Sequence, residues 1–279
     1  MKLIHTLPIL FLLLFACSDQ NTGSEKAQDP KPGGNIVVAS LQTLMDSSDL
    51  RGAILLYDLE ADTYYSNDFG ESKKGQLPAS TFKITNSMIA LETAVVENDS
   101  SLFRWNGEDR MLDVWEQDLT LKEAFHYSCV PCYQEIARKI GVENMNRYLD
   151  TLNYGTMDVD STNIDRFWLQ GESCITPFEQ IDFLKRFYES TLPISSRTET
   201  IMKRMMIMEE NDAYTMSGKT GWSIQKGVNN GWFVGYVETN NKTYFFATNI
   251  EPNHQFDRDA FVRLRKEVTF KALKQMKII

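Results

Sequence analysis

The chain has 279 residues, 42% of them hydrophobic and 24% charged, enough to fill one large domain or two interleaved lobes and too apolar for a disordered tail. Its formal charge of -9, with no cluster of Lys and Arg, excludes a nucleic-acid surface, where basic side chains gather on one face. Only three histidines are present, and none has H-E-x-x-H or another paired-ligand spacing, which speaks against a metal site.

The first seventeen residues, MKLIHTLPILFLLLFAC, place one Lys before an apolar run that ends in a small residue ahead of Cys17. The run is too short to span a bilayer, so residues 1–16 read as an export signal. The ending LFAC is similar to a bacterial lipoprotein cleavage site, with a lipidated Cys17 as the first mature residue and a membrane tether through it. Phe15 is bulkier than that pattern usually takes, and plain secretion into the periplasm is the alternative. Residues 17–35 are polar, contain Pro and Gly, and read as a flexible tether. The folded domain is expected over 36–279.

Residues 36–69 predict a short helix followed by two strands, GAILLYDLE and TYYSND, with EAD as the turn between them. Residues 80–190 are mostly helical by period: Ile84, Met88, Leu91 and Val95 recur at helical spacing, and SCVPCYQEIARKIGVENMNRYLDTL continues it. Residues 213–250 return to strands, with GWFVGYVET and KTYFFATNI joined at NN as a hairpin. The last helix is DAFVRLRKEVTFKALKQM. Strands from both chain ends around a helical insertion predict an α/β fold of the α+β type: a central antiparallel sheet flanked by terminal helices, with a helical lobe over roughly 80–190. A cleft between the lobes is the expected place for a site.

Cys129 and Cys132 form a C-x-x-C, which reads either as two small buried thiols at a helix start or as a disulfide of an exported protein. His126, two residues before Ser128, reads as an exposed or half-buried helix residue. A serine nucleophile in this chain therefore needs a base other than histidine.

Lys83 supplies one. Ser80 and Lys83, three apart in the first turn of a predicted helix, share one face and bring an amine within reach of a hydroxyl. The helix N-terminus adds N–H groups and a positive dipole end, which favour developing oxyanion charge. S-x-x-K alone also fits a helix-capping Ser beside a solvent-reaching Lys. Two further phrases alter the balance: YSCV supplies Ser128 and Val130, and SGKTGW supplies Lys219, Thr220, Gly221 and Trp222 on a predicted strand.

S-x-x-K, S-x-V and K-T-G in that order resemble the penicillin-recognising serine enzymes. Most of that superfamily has S-D-N or S-x-N as its second element, whereas S-x-V is the mark of the class D serine β-lactamases, the oxacillinases. PASTFKI, FRWNGEDR, PCYQEIARKIG, RFWLQG and NGWFVG look like the same family, and the resemblance covers about residues 36–279.

The resemblance implies that Ser80 is the acylated nucleophile, with the backbone N–H groups of Ser80 and Trp222 as oxyanion hole. Ser128 would relay the proton to the leaving ring nitrogen beside Lys219, and Thr220 and Gly221 would line the strand edge where a β-lactam lies. The substrate carboxylate would meet Arg265, with Arg263 as the neighbouring alternative. Lys83 would be carbamylated by carbon dioxide to N6-carboxylysine and act as general base. An ordinary Lys, with pKa about 10.4, is neutral to only about 0.1% near pH 7.4, and carbon dioxide reacts with the neutral amine alone. Burial lowers a lysine pKa, and Val130 replaces an Asn amide that would solvate the ammonium. Trp168 would donate its indole N–H to the carbamate.

Two points depart from the pattern. The usual Tyr-Gly-Asn is Tyr154, Gly155 and Thr156 here, so the bracing of that loop is expected to differ. Where family members with carbapenem activity often carry a roofing aromatic, Leu112 is expected to face Ile224, and strong carbapenem hydrolysis is not expected. Two other functions share S-x-x-K: a penicillin-sensing receptor domain that stays acylated, and a D-Ala-D-Ala transpeptidase or carboxypeptidase. Such sensors are tethered to a transmembrane zinc protease, for which this sequence offers neither the helices nor H-E-x-x-H. Beyond small-molecule β-lactams no partner is implied, and the chain is expected as a monomer or homodimer.

Overall fold

The computed structural model describes residues 33–253 and 257–279; the export signal over 1–16, Cys17 and nearly all of the tether lie outside the described residues. A first strand, β1 (Asn35–Val37), leads into α1 (Ala39–Ser47), whose Leu41 and Met45, one turn apart, are buried. β2 (Leu50–Asp58) and β3 (Thr63–Ser66) make an antiparallel pair. β2 is a continuous apolar run from Ala53 to Tyr57 because both of its faces are covered.

A 3-10 turn, Ala79–Phe82, precedes α2 (Lys83–Glu92), which is buried on every side as far as Leu91. β4 (Leu102–Phe103) and β5 (Leu119–Thr120) form a small separate ribbon. α3 (Leu121–His126), α4 (Val130–Leu152), α5 (Pro177–Tyr188) and α6 (Ser196–Met206) follow, with Thr120 and Thr176 starting α3 and α5 in capping boxes with Glu123 and Glu179. The chain then returns to the sheet through β6 (Ile207–Glu210), β7 (Tyr214–Gln225), β8 (Val228–Thr239) and β9 (Thr243–Pro252). It closes with α7 (Arg258–Gln275).

The seven-stranded order is β1-β3-β2-β9-β8-β7-β6. Both chain ends meet at the β2–β9 pair, in register from Leu50 opposite Pro252 to Asp58 opposite Tyr244, so the helices between are an insertion in one sheet. One face of the sheet packs on α1 and α7 through Met45, Phe233, Phe246, Phe261 and Val268. The other packs on the helical lobe through Phe82, Met88, Tyr133, Phe187 and Tyr236. β6 pairs with β7 only at Thr215–Ser217, which leaves the edge of β7 from Gly218 to Gln225 free among the described residues.

Three expectations change. The sheet is not wholly antiparallel, because β1 joins β3 in parallel as a three-residue edge strand too short to show a period. Ser80 lies in the 3-10 turn and not in an α-helical turn; α2 begins at Lys83. Val95 is outside α2: the helix ends at Glu92 and Ala94, at φ 55, turns the chain away.

Candidate active site

The turn that carries Ser80 is held from four directions. Ala79 has φ 50, an unfavourable value for a residue with a Cβ, and such a conformation persists when its surroundings fix it. Ala79 N donates to Trp168 O at 2.8 Å, and Leu77 O accepts from Trp232 Nε1 at 2.8 Å and from Asn230 Nδ2 at 2.9 Å. Thr81 Oγ1 donates to Pro78 O at 2.6 Å and accepts from Gln180 Nε2 at 3.0 Å. In a 3-10 turn residues three apart nearly eclipse, and Lys83 Nζ donates to Ser80 Oγ at 2.9 Å.

Lys83 is 1% exposed. Its Nζ lies 5.0 Å from the centre of the Tyr133 ring, and no carboxylate pairs with it among the described residues. Burial alone brings its pKa down to about 7, so near neutral pH a large share of the amine is uncharged.

Ser128 sits at φ 54 in the tight connection between α3 and α4, where Ser128 N donates to Phe125 O and Cys129 N to Ala124 O. Cys129 is the N-cap of α4, its Sγ accepting from Cys132 N at 3.2 Å. Cys129 and Cys132 are joined in a disulfide, which corrects the reading as two free thiols: a cap residue and the residue three on stand on the same side of the first turn, with Cα atoms 5.4 Å apart. Cys174 is the free cysteine among the described residues.

Lys219 of β7 donates to Ser128 Oγ and, at 3.1 Å, to Thr220 O. Its ammonium is held well below its ordinary pKa, first by burial and then by the positive charges of Lys83, Arg265 and Lys266. Gly221 fits this strand close to the serine turn, since a Cβ there would stand 3.1 Å from Pro78 O. Gly231 of β8 leaves the path that Arg265 takes across the sheet: a Cβ there would meet Arg265 Cγ at 2.9 Å. Arg265, 9% exposed, reaches Gly221 O with Nη1 at 2.8 Å, while Arg263 is exposed on α7. Arg265 Nε is buried with no partner among the described residues, and burial lowers the guanidinium to about 10, still charged at neutral pH.

Trp168 is fully buried and stacked on Phe82, with ring centres 5.5 Å apart. Its indole N–H has no acceptor among the described residues. Contacts thus join Ser80 to Lys83, Ser128 to Lys219, Lys219 to Thr220, and Gly221 both to Arg265 and to the serine turn, with Trp168 O holding the turn through Ala79 N. Val130 and Trp222, the sequence neighbours of this cluster, line a cavity of about 860 Å³. His126 ends α3 at the surface, and no hydrogen bond joins it to Ser128 among the described residues.

Met111, rather than Leu112, stands with Ile224 at this groove, because Leu112 is the extended residue just before a 3-10 turn and its neighbour projects into the cavity. The loop with Thr156 in place of Asn is braced by backbone: Thr156 and Cys174 exchange two N–H···O bonds, at 2.9 and 2.7 Å, and Gln76 and Ile175 do the same. Sequence reasoning missed the anchors of Leu77 O. Two buried Asn, Asn230 and Asn249, joined at 2.6 Å in the otherwise apolar β8–β9 pair, were the signal available for them.

Residues 30–272 match the family model described as the penicillin binding protein transpeptidase domain. The chain is 38% identical to β-lactamase OXA-48 of Klebsiella pneumoniae over 229 residues, covering 82% of this chain and 84% of that one. A crystal structure of the class D β-lactamase YbXI from Nostoc superposes with a TM-score of 0.81 at 42% identity, over 85% of this chain and 98% of that one. The C-terminal domain of the BlaR penicillin receptor of Bacillus licheniformis superposes at 0.80 with 30% identity, over 89% and 99%.

Proposed function

The chain belongs to the class D serine β-lactamase family, and from that premise we propose that it hydrolyses the β-lactam ring of penicillins and related antibiotics through an acyl-enzyme on Ser80. The observation that carries the reading is the contact of Ser80 with a buried Lys83 that joins no salt bridge among the described residues. Ser80 Oγ attacks the lactam carbonyl as its proton passes to the base at position 83, and the backbone N–H groups of Ser80 and Trp222 receive the developing oxyanion. The C–N bond of the ring breaks, and Ser128 Oγ delivers a proton to the leaving nitrogen. Lys219, bonded to Ser128 Oγ, steadies the charge on that oxygen. Water then releases the acyl group from Ser80. Thr220 and Gly221 line the free edge of β7, along which the substrate lies, Val130 keeps the base side of the groove apolar, and Arg265 takes the ring carboxylate.

The residues present fit a carbamate at position 83. The amine is neutral enough to take up carbon dioxide, and the unpartnered Trp168 N–H is a donor suited to an acceptor oxygen. Lys219 and Arg265 are further buried basic side chains that join no salt bridge among the described residues. N6-carboxylysine at Lys83 would supply the general base for both acylation and deacylation.

Export through residues 1–16 and a lipid anchor on Cys17 complete the proposal, supported by a disulfide of the kind that persists in oxidising compartments. The receptor that matches in fold makes a sensor the competing reading, and deacylation separates the two. The purified protein should turn over benzylpenicillin many times, faster when bicarbonate is restored to a depleted sample. Trp168→Phe should need more bicarbonate for the same rate. A single stoichiometric burst without turnover would sink the hydrolase and favour the sensor.

A further inference from the structure

Met111 and Ile224 line two cavities. One is the groove past Val130 described above; the other, of about 580 Å³, opens on the α7 side, and the reaction at Ser80 makes no use of it. Its walls are Trp222, Phe261 and Asn229, with the guanidinium of Arg258 among them.

Trp222 is fixed from several sides. Its Nε1 donates to Asn229 Oδ1 at 2.9 Å, and its ring meets Phe261 edge-on with centres 5.7 Å apart. The guanidinium carbons of Arg258 and Arg265 lie 5.6 and 5.9 Å from its ring centre. The two arginines are seven residues apart on α7, which puts them on one helix face about 10 Å apart along the axis. Arg258 therefore extends the positive charge of Arg265 along α7 into the second cavity. It joins no salt bridge among the described residues, and the preceding Asp257 caps α7 by accepting from Asp259 N and Ala260 N.

An exposed guanidinium alone holds a small anion weakly, and aromatic walls alone do not select for charge. Together they select a flat apolar group that carries a negative charge. A cephem offers such a group: the ring atom beside its carboxylate-bearing carbon carries a variable substituent, where a penam has only methyl groups. Arg265 and Arg258 flank the same Trp222 ring, so with the ring carboxylate at Arg265 that substituent would come within reach of Arg258.

We propose that Arg258, set beside Trp222 and Phe261 at this cavity, makes the enzyme favour cephems whose substituent next to the ring carboxylate is a flat group ending in a carboxylate or sulfonate. The proposal rests on the hydrolase reading and on Arg265 as the carboxylate partner. The test uses two cephems with the same acylamino group and either a neutral or an anionic substituent at that position. Wild-type protein should prefer the anionic one in kcat/KM. Arg258→Ala should cut that preference about tenfold, through KM, as expected when uniform binding is lost. Arg258→Glu should reverse it, and Arg258→Lys should keep part of it. High ionic strength should shrink the wild-type preference and leave that of Arg258→Ala where it is.

A preference unchanged in Arg258→Ala would overturn the proposal. So would an equal loss of kcat for both cephems and benzylpenicillin, which would make Arg258 a packing partner of Trp222. Calorimetric titration of Ser80→Ala with the same cephems reads the binding ratio without turnover. Absent hydrolysis by the wild-type protein would then defeat the hydrolase reading, while an absent binding preference would defeat this one.

Discussion

Lys83 and Lys219 stand on opposite sides of the same groove, each bonded to a serine hydroxyl, yet the sequence delivers them by different means. Lys83 opens α2 and is surrounded by side chains of the helical lobe, so its proton affinity falls through burial alone. Lys219 comes from a strand with a free edge and feels the charges of Lys83, Arg265 and Lys266 in addition to burial. Two ammonium groups so close in an apolar groove oppose each other's charge. An anion at position 83 would turn that opposition into attraction and restore the ammonium of Lys219 beside Ser128. With the proposed carbamate in place, one lysine would lose its charge and the other would regain it.

The sharpest way to break the comparison is to remove each in turn. Lys83→Ala should slow deacylation by about 10³-fold or more, within the range of losing a general base. A stable adduct on Ser80 should then be visible by mass, with no rescue by bicarbonate. Lys219→Ala should instead slow acylation, by about 10²-fold, with no adduct building up and with the bicarbonate response intact. Accumulation of the adduct in both variants would erase the distinction drawn between them.

The acid limb is the next test. Lys83 has its pKa lowered to about 7, so its neutral form is fully available above that pH and is lost as pH falls through it. At pH 6 about one tenth of the amine remains neutral. Carbamylation also releases a proton, so at fixed dissolved carbon dioxide the turnover should fall by more than the roughly tenfold loss of neutral amine between pH 8 and 6, and more carbon dioxide should move the limb to lower pH. A limb that does not respond to carbon dioxide would assign it to another group.

Much of this arrangement was legible in the sequence. The three short motifs pointed to the site through their order and their resemblance to the class D family, and Lys83 in addition as a charge in an otherwise apolar run. The strand–helix–strand order named the sheet, because patterns of 2 and 3.6 residues are strong over long segments. What stayed hidden depends on backbone geometry or on contacts distant along the chain. The 3-10 turn at Ser80 and the positive φ of Ala79 are imposed by the carbonyl of Trp168 and by the donors Asn230 and Trp232, far from Ser80 in sequence. The exchange of Leu112 for Met111 is a one-residue phase error in an irregular loop, where no period exists to fix it. β1 is three residues long, shorter than any reliable pattern.

The smallest effect is expected at Cys129–Cys132, where the Ser128 side of the comparison is tied down covalently and the Ser80 side is not. The bridge closes a loop of only a few residues, so the chain-entropy argument gives about 2 kcal/mol. For a domain of this size that is about 5 °C in Tm. Cys129→Ala with Cys132→Ala should show that drop by calorimetry while losing only a few-fold in kcat/KM. Ser128 would still be held by Phe125 O, although Cys132 N would lose its acceptor. Cys129 is fully buried and Cys132 nearly so, so a thiol reductant should act on the folded wild-type protein far more slowly than on the unfolded chain. A collapse of acylation as large as that of Lys219→Ala would mean that the disulfide, and not the turn, sets the position of Ser128.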